Sequence, residues 1–465
     1  MIKKVLAVLA LTLAVCLLPT AAWGYSTADI SGAPIVRVML DSSYGYDSYS
    51  FTVTNGTYYI VAEDSLNGSS VYRSYMTVYD KISSGGSFTM SAGSGRIAVP
   101  ENRDCTCKYG YYSYRGGFKA VTSGTYSYCI NQLDVESYLY GIIGNEISEW
   151  NDDSMKAQAV AARSYAIANI SSDNRYYDVT GSVYSQVYRG YSSESARIRA
   201  AVDETCGWIL TYKGEVVEAY YSASNGGHSE NIENVWIGED VPLVGVYCPY
   251  DKVAGTDPYY GSYAASCWSW TEEYSPDNMV SLANNYGNTD IGEFVSVSMS
   301  TTYNGQTSVS GRAMQVTIKG TRDSVTATKD EIRSLLNLKS TLFTFGSDGV
   351  TSAGTFVLSK GDKLTGWTDL NELFAVSGSG SVTAAGGSDS SIYVLSESGS
   401  SRLSKSAGTT STTVSGNVVI NGHGYGHGVG MSQWGAIAMG DNGFSWREII
   451  DLFYCRDGIK LECCY

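Results

Sequence analysis

The three histidines of this 465-residue chain all lie in glycine-rich segments. His228 follows a Gly-Gly pair, while His423 and His427 belong to a segment in which glycine alternates strictly from residue 422 to residue 430. Histidines confined to glycine-dense loops or strand ends indicate a site rather than scattered core positions. In an extended chain the alternation would place His423, Tyr425 and His427 on one face, with bare backbone on the other. Such a ribbon is suited to contact with a polymer.

The spacing of His423 and His427 does not favour a shared metal ion. Histidines four residues apart on a strand are separated by about 13 Å, so a common metal would require a sharp bend. The sequence also lacks His-Glu-x-x-His, Gly-x-Ser-x-Gly and P-loop motifs, which leaves metalloproteases, α/β-hydrolases and nucleotide-binding proteins without support. We therefore expect no metal site and no cofactor.

Glu146 is the candidate for proton transfer. It follows an apolar run, 139–143, that is ended by a glycine-bearing turn, and isoleucines flank it. Apolar neighbours tend to desolvate a carboxyl, which raises its pKa and suits it to act as a general acid near neutral pH. The alternative is a glutamate on a surface loop.

Two cations stand in an alanine-rich stretch that follows Glu146. Lys156 and Arg163 are two helical turns apart, with Val160 between them on the same face. A cation within such a stripe is suited to hold Glu146 or a substrate carboxylate. The alternative is a solvated helix edge.

The elements that must position these residues begin with a β-rich region, which the many tyrosine, serine and threonine residues favour. The predicted strands are Ile35–Met39, Ser50–Thr54, Tyr58–Ala62, Val71–Tyr79, Arg96–Val99, Tyr109–Phe118 and Tyr126–Ile130. Helical spacing then begins at Asp134–Ile142, is interrupted at Gly144-Asn145, and resumes in a helix over Ser154–Ile170 capped by Asp152 or Asp153. The alanines of that helix allow neighbouring elements to approach closely.

The second half of the chain mixes both element types. We predict strands at Trp208–Tyr212, Val216–Ser222, Phe294–Ser300 and Ala313–Ile318, and helices at Ser275–Tyr286, Lys329–Leu336, Ser432–Met439 and Ser445–Phe453, the last opened by a capping box. Between 372 and 416 serine, glycine and threonine dominate, with one strand at Ser391–Leu395. This stretch reads as a small hairpin insert or a loosely ordered spacer.

Residues 1–24 have the pattern of an export segment, with two lysines followed by an apolar run and small residues. The pattern leaves open whether this signal is cleaved or retained as a membrane anchor. Its removal would change the net charge from −15 to −17, which argues against nucleic acid as a partner. Nine cysteines would remain; export permits disulfides, but their pairing cannot be read from the sequence.

Several longer blocks, in order along the chain, resemble the signature of the stage II sporulation protein D family, also called the amidase-enhancer family. They are Asn131–Gly141 with Asn145-Glu146, Met155–Ala166, Glu218–Asn231, Ser310–Arg312 and Gly424–Ala436. The resemblance implies a lytic transglycosylase that cleaves peptidoglycan glycan strands stripped of their stem peptides, in the cell-wall remodelling of engulfment. It also implies a partner amidase. The alternative is a non-catalytic wall-binding protein that stimulates such an amidase.

The resemblance assigns roles to individual residues. Glu146 corresponds to the catalytic acid, and the substrate-binding residues are expected to be Lys156, Gln158, Arg163, Tyr188, His228, His423, Tyr425, His427 and Gln433. Two departures from the family matter. The proline that usually follows the catalytic position is absent from Glu146-Ile147-Ser148, and the stretch 178–185 lacks the histidine and cysteines with which some members bind zinc.

These observations predict an α+β, β-rich fold with a central alanine-rich helix beneath the catalytic loop. The predicted organisation is a β-rich part at 25–130, a catalytic core at 131–345, an insert at 346–416 and a C-terminal segment at 417–465 that completes the core. The three histidines are expected to converge on Glu146 in space.

Overall fold

The computed structural model describes residues 33–464, apart from 46–47, 63–77, 171–175 and 237–241; between 347 and 414 it describes only short strands. The predicted export segment 1–24, and most of the predicted insert, therefore lie outside the described residues. The described residues form two compact units. Unit 1 runs to Ala219 and includes Ser445–Arg447 and the segment from Ile459, whereas unit 2 comprises Tyr220–Phe444 and Glu448–Gly458.

Unit 1 is built mainly of antiparallel sheets. Its helices are Val135–Glu146, Asp152–Ala168 and Ala196–Glu204, with a 3-10 turn at Gly190–Ser193. Its strands are Ile35–Tyr44, Ser48–Asn55, Thr57–Ala62, Val78–Ser83, Ser87–Ser91, Arg96–Pro100, Thr106–Tyr109, Tyr112–Tyr114, Gly117–Ser123, Tyr126–Asp134, Val179–Thr180, Trp208–Tyr212, Glu215–Val216 and Lys460–Cys463.

The largest sheet of unit 1 has seven strands. Strand Tyr126–Asp134 lies between Ile35–Tyr44 and Gly117–Ser123 and pairs antiparallel with both. This strand continues past residue 130. The boundary predicted between the β-rich part, 25–130, and the catalytic core, 131–345, therefore falls inside one strand. It ends at Asp134, from which the first helix starts directly.

The helix Val135–Glu146, called the Glu146 helix below, is not interrupted at Gly144 as the sequence predicted. Asp134 caps its N-terminus by accepting a hydrogen bond from the Ser137 N–H, at 2.9 Å. Gly144 serves close packing rather than a turn, since a Cβ there would lie 2.7 Å from the Ser193 carbonyl oxygen and 2.8 Å from Ile198. Glu146 is therefore the last residue of a helix.

The helix Asp152–Ala168, called the alanine-rich helix below, begins two residues earlier than predicted. Its cap is Asn151, whose Oδ1 accepts from the Ser154 N–H at 2.8 Å. Asp152 and Asp153 lie inside the first turn, where negative charge interacts favourably with the helix dipole. The alanines of this helix are mostly buried and let other elements approach its backbone.

A buried ion pair joins the Glu146 helix to the alanine-rich helix. The Arg163 guanidinium donates two hydrogen bonds of 2.7 Å to the Glu136 carboxylate, and the side chains are 0% and 2% exposed. Arg163 also donates to the carbonyl oxygens of Trp208 and Val202, at 3.1 and 3.3 Å. This guanidinium thus connects the alanine-rich helix to three other elements: the Glu146 helix, the strand Trp208–Tyr212 and the helix Ala196–Glu204.

Unit 2 contains most of the remaining elements. Its helices are Ile232–Val235, Tyr250–Thr256, Gly261–Trp268, Pro276–Gly287, Glu331–Leu336 and Gln433–Asp441, with a 3-10 turn at Pro258–Tyr260; the helix Trp446–Phe453 starts in residues of unit 1. Its strands are Tyr221–Ser222, Ser269–Tyr274, Phe294–Ser300, Thr302–Tyr303, Gln306–Thr307, Gln315–Gly320, Ser324–Thr328, Phe343–Phe345, Val357–Lys360, Lys363–Trp367, Phe374–Val376, Val382–Ala384, Ile392–Ser396, Gly399–Leu403, Thr412–Val414, Val418–His423 and Met431–Ser432.

The apolar core of unit 2 lies between two small antiparallel sheets and the helices Pro276–Gly287 and Glu331–Leu336. In one sheet, strand Val418–His423 pairs with both Ser269–Tyr274 and Phe343–Phe345. This pairing delivers the chain to the glycine-rich segment that begins at Gly422.

The coarse fold prediction is confirmed, because the chain mixes helices and strands as an α+β fold does. The units divide at Ala219, within the segment 131–345 that the sequence grouped as one core. Within the described ranges, no helix is both long and apolar enough to cross a membrane.

We predict that Arg163→Met lowers the free energy of unfolding by about 3–5 kcal/mol, because it leaves the Glu136 carboxylate buried without its cation. Arg197→Met is the matched control. Arg197 pairs with Asp152 at the surface, where the side chains are 43% and 59% exposed, so its loss should cost less than about 1 kcal/mol. Urea unfolding followed by tryptophan fluorescence measures both changes.

The double variant Glu136→Leu/Arg163→Met should recover part of the loss, since no unpaired charge is then buried. Equal, small losses for Arg163→Met and Arg197→Met would contradict the importance of the buried pair.

Candidate functional site

Glu146 is held at the C-terminal end of its helix. Its Oε1 accepts a hydrogen bond of 2.7 Å from the backbone N–H of Val187, and the residue is half-buried. This N–H orients the carboxyl at the C-terminal end of the helix, where the last backbone carbonyls carry partial negative charge.

The segment Gln186–Tyr188, which supplies that N–H, is fixed at both ends. Gln186 donates to the Ala162 carbonyl oxygen of the alanine-rich helix, at 3.2 Å, and accepts from the Tyr138 hydroxyl at 3.1 Å. The Tyr188 hydroxyl donates to Asn131 at 2.8 Å. The orientation of the Glu146 carboxyl therefore depends on both helices and on the central strand.

The charge of Glu146 contributes to raising the pKa values of two tyrosines. Burial, supplemented by the charges of Glu218 and Glu146, raises the pKa of Tyr165 to about 12, although a hydrogen bond with Ser185 opposes the shift. Burial and the Glu146 charge also raise the pKa of Tyr138. Both phenols remain protonated near neutral pH, so the carboxyl lies among neutral hydroxyl groups.

Three residues of unit 1 that are expected to bind substrate are buried, and their substrate-binding roles stay predictions. Arg163 pairs with Glu136 rather than with Glu146, and its guanidinium is enclosed. Gln158 and Tyr188 are also buried, at 0% and 3% exposure. Lys156 is 17% exposed and pairs with Glu204, and its expected contact with substrate also stays a prediction.

The extended ribbon predicted for 422–430 is wrong beyond His423. Strand Val418–His423 ends there. The next alternating glycines have φ angles of +81° at Gly424, +116° at Gly426, +77° at Gly428 and +68° at Gly430, values that glycine adopts far more readily than other residues. The glycines therefore form a tight loop, called the glycine loop (424–430) below, and the intervening side chains do not share one face.

A buried carboxylate ties the start of the helix Gln433–Asp441, just after the glycine loop, to the segment around His228. Asp251 accepts hydrogen bonds from the Ser224 and Ser432 hydroxyls, at 2.9 and 2.7 Å, and from the Asn225 and Gly227 N–H groups, at 2.9 and 3.1 Å. Burial raises the pKa of Asp251, while these donors oppose the shift. The sequence analysis missed Asp251, because an aspartate in a short helix carries no local signal of this role.

The block Ser310-Gly311-Arg312 meets the same region. Glu230 is buried and accepts from the Ser308 and Ser310 hydroxyls, at 2.5 and 2.6 Å. Burial alone would raise the pKa of Glu230, but its hydrogen bonds outweigh that effect and lower it. Arg312 donates to the Asn225 carbonyl oxygen at 2.7 Å and packs against Gly428. Three blocks far apart in sequence thus come together within unit 2.

His427 is bound to two backbone groups of unit 2, and its expected contact with substrate stays a prediction. Its Nδ1 accepts from the Val429 N–H at 3.0 Å, so the ring proton is on Nε2, which donates to the Tyr221 carbonyl oxygen at 2.9 Å. Burial, together with the nearby Arg333 and Arg312, lowers the pKa of His427 to about 3. Both ring nitrogens are occupied, and the ring is neutral near pH 7.

The other two histidines, like His427, are half-buried. His228 donates from Nδ1 to the Ser229 carbonyl oxygen at 2.6 Å, which makes Nε2 an acceptor in the neutral ring. His423 packs edge-on against Trp268, with ring centroids 4.7 Å apart. Burial lowers the pKa of both histidines.

The remaining predicted contacts of the C-terminal block differ in exposure. Tyr425 is 37% exposed, whereas Gln433 is buried at the start of its helix. The expected substrate contacts of both residues stay predictions. The expected convergence of the histidines on Glu146 involves residues of different units and stays a prediction. No group of three or more metal-ligating side chains occurs in the part of the chain that the structure describes.

Comparison with known proteins places these residues in a family. Residues 123–212, which include Glu146 and its supporting elements, match the family model described as Stage II sporulation protein. The chain carries a domain of this family. The resemblance found in the sequence is thereby confirmed. Residues 254–361, in unit 2, match a domain of unknown function, DUF8618.

Curated relatives extend the similarity. The chain is 30% identical over 322 residues to an amidase enhancer of Bacillus subtilis, covering 68% of this chain and 39% of that protein. It is 28% identical over 140 residues to stage II sporulation protein D of the same organism, covering 26% and 41%. An uncharacterized protein of Brachyspira hyodysenteriae is 26% identical over 344 residues, covering 73% and 70%. The matches thus span about two fifths of the length of each of the two Bacillus proteins.

We predict that the neutral state of His427 makes stability depend on pH. The folded pKa is about 3 and the ordinary value 6.5, so the unfolded chain binds the proton more tightly. Stability is complete above pH 6.5 and falls as the pH drops toward 3, by about 2 kcal/mol between pH 7 and pH 5. Urea unfolding at pH 7 and at pH 5 measures the free energy of unfolding. Between these pH values, the His427→Gln variant should lose about 2 kcal/mol less than the unsubstituted protein. Equal losses in the two proteins would contradict the assignment.

We also predict that Gly430→Ala destabilises the glycine loop strongly. A Cβ at Gly430, where φ is +68°, would fall on the Tyr220 carbonyl oxygen. Gly443 has a similar φ of +83° but no atom within 4 Å of a Cβ, so Gly443→Ala reports backbone strain alone. We expect losses of about 2–5 kcal/mol at Gly430 and about 1–2 kcal/mol at Gly443. Similar thermal unfolding shifts would show that the close contact is unimportant.

Proposed function

We propose that this chain is an exported peptidoglycan lytic transglycosylase that cleaves stripped glycan strands during the cell-wall remodelling of sporulation. The observation that carries the proposal is the position of Glu146 within the matched family domain. Its carboxyl stands at the negative end of a helix and is oriented by a backbone N–H. The names of the relatives, an amidase enhancer and a stage II sporulation protein, support a role at the cell wall.

A single carboxyl suffices for the proposed reaction. Protonated Glu146 donates its proton to the glycosidic oxygen as the bond to the muramic acid C1 breaks. The resulting carboxylate then takes the proton of that sugar's own C6 hydroxyl as its oxygen closes onto C1. The product is a 1,6-anhydro sugar, and no second carboxylate is required to activate water, unlike an ordinary glycosidase.

An exposed turn directly precedes the segment that binds this carboxyl. Val183 and Tyr184 are 81% and 89% exposed, and they precede the segment Gln186–Tyr188 that holds Glu146. The turn itself is braced by hydroxyl contacts among Thr180, Ser182 and Ser185. In the proposed function, a strand that reaches Glu146 passes this apolar turn.

The second candidate function is a wall-binding protein that stimulates an amidase without cleaving glycan. It is favoured by the amidase-enhancer relative, whose match covers 68% of this chain, against 26% for stage II sporulation protein D. In that case Glu146 would be dispensable, and the partner amidase would provide the chemistry.

We predict that Glu146→Gln lowers the rate of strand cleavage by about 10²–10⁴-fold, because the amide keeps the size of the side chain but cannot transfer the proton. The measurement is the release of anhydro-ended fragments from stripped strands, resolved by chromatography and mass. Strand binding should persist in this variant. Glu149→Gln, three residues further along on the exposed surface, is the matched control and should have little effect.

The products separate the candidate functions. Anhydro ends support the transglycosylase, reducing ends indicate hydrolysis, and strand binding without new ends indicates the enhancer. A folded Glu146→Gln variant with undiminished activity would refute the mechanism.

A further inference from the structure

Unit 2 presents exposed tyrosines next to the glycine loop. Tyr259 is 68% exposed, Tyr263 is 60% exposed and Tyr425 is 37% exposed. With Lys339 these residues are called the tyrosine patch. Three of the four, Tyr259, Tyr263 and Lys339, lie in the segment that matches a domain of unknown function.

The patch is supported from below by buried aromatic rings. The Tyr263 and Tyr260 rings pack edge-on against Trp434, with centroids 6.2 and 6.3 Å apart. Tyr259 packs against Tyr260 at 5.0 Å. Trp434 and Tyr260 are nearly fully buried, at 8% and 6% exposure. The exposed rings therefore rest on a fixed layer, which limits the entropy that a ligand would have to remove.

Lys339 is the cation of the patch. Its Nζ donates to the Ser266 carbonyl oxygen at 3.0 Å and lies 5.9 Å from the centre of the Tyr425 ring. The backbone of Lys339 also accepts from the Gly426 N–H at 2.9 Å, which fixes it to the glycine loop. A single ammonium group thus stands beside otherwise neutral aromatic rings.

The sequence around the two exposed tyrosines is uncharged. Residues 258–271 contain no charged residue, although the whole chain has a net charge of −15. Exposed tyrosines offer an apolar face and a hydroxyl group, a combination suited to a ligand that is itself both apolar and hydroxylated. Sugar rings have this character.

We propose that the tyrosine patch binds a peptidoglycan glycan strand whose stem peptides have been removed. The inference rests on the proposed function for the class of polymer, and it assigns a ligand to the DUF8618 segment. The tyrosines stack on the sugar rings. Lys339 pairs with the lactyl carboxylate that every second sugar exposes once its peptide has been cleaved at the amide.

The charge pattern favours this occupant over other polymers. A nucleic acid carries a negative charge on every residue and would require several cations, whereas the patch offers one. A protein partner would favour a larger apolar area than three separated rings. A stripped glycan strand has neutral sugars interrupted by widely spaced carboxylates, which matches several tyrosines and one lysine.

Two ligands test the two parts of the inference. Stripped glycan strands carry the lactyl carboxylates, and chitohexaose provides the same type of sugar ring without them. Binding is measured by calorimetry and by co-sedimentation in the Glu146→Gln background, so that cleavage does not interfere. The variants are Tyr259→Ser/Tyr263→Ser and Lys339→Met. The matched controls are Tyr111→Ser, which removes a 95% exposed tyrosine elsewhere, and Lys319→Met, which removes an exposed lysine of unit 2.

The tyrosine double variant should bind both ligands about tenfold more weakly, from the loss of two stacking rings. Lys339→Met should weaken binding of stripped strands about threefold or more and leave chitohexaose unchanged. The controls should match the parent protein. Thermal unfolding verifies that each variant is folded, and Tyr263→Phe, which keeps the ring, should retain most of the affinity.

The inference is overturned if the Glu146→Gln protein without further substitutions binds neither ligand. It is also overturned if the tyrosine double variant binds as tightly as that protein, or if the control variants lose as much affinity as the patch variants. Its failure is distinct from failure of the proposed function. Patch-dependent binding without anhydro products removes the transglycosylase and keeps the patch. Anhydro products with unchanged binding in the patch variants remove only the patch.

Discussion

The buried pair of Glu136 and Arg163 is the interaction on which the arrangement around Glu146 depends. Removing two charges from water is costly, and only their mutual hydrogen bonds with further carbonyl partners compensate for it. This requirement fixes the Glu146 helix against the alanine-rich helix. The latter helix then holds Gln186, and the segment that follows Gln186 presents the N–H that binds Glu146. The pair thereby determines where the candidate acid stands, although it does not contact it.

Unit 2 follows the same rule with different partners. Its buried carboxylates, Asp251 and Glu230, are satisfied by hydroxyl and backbone N–H groups rather than by ion pairs. These bonds bring together segments that are as far apart in sequence as 224 and 432. The glycines of the glycine loop allow the close approach, because a side chain at several of them would collide with the facing backbone. Much of the glycine pattern that suggested chemistry thus permits close packing within unit 2.

Several of the residues expected to bind substrate already have partners inside the molecule. Arg163 is buried and His427 is half-buried, and a ligand would have to displace the internal partners of both. The exposed candidates are aromatic: Tyr184, in the turn that precedes Gln186–Tyr188 in unit 1, and the tyrosine patch in unit 2. The charged and imidazole groups therefore form hydrogen bonds within the protein, whereas exposed tyrosines are available to contact a ligand.

The sequence by itself determined the family, the α+β character and the positions of most elements, because these depend on local periodicity and on long motifs. Strands Trp208–Tyr212 and Phe294–Ser300 were predicted with their observed bounds. Local pattern could not decide that Gly144 lies inside a helix, since the reason is a neighbouring carbonyl oxygen contributed by Ser193. The alternation of glycines likewise predicted an extended ribbon. In the structure, hydrogen bonds with Ser224 and Asn225 hold this segment in a loop instead. Whether a charged or imidazole side chain faces a ligand or the core was settled only by tertiary structure, because burial and hydrogen-bond partners come from residues distant in sequence.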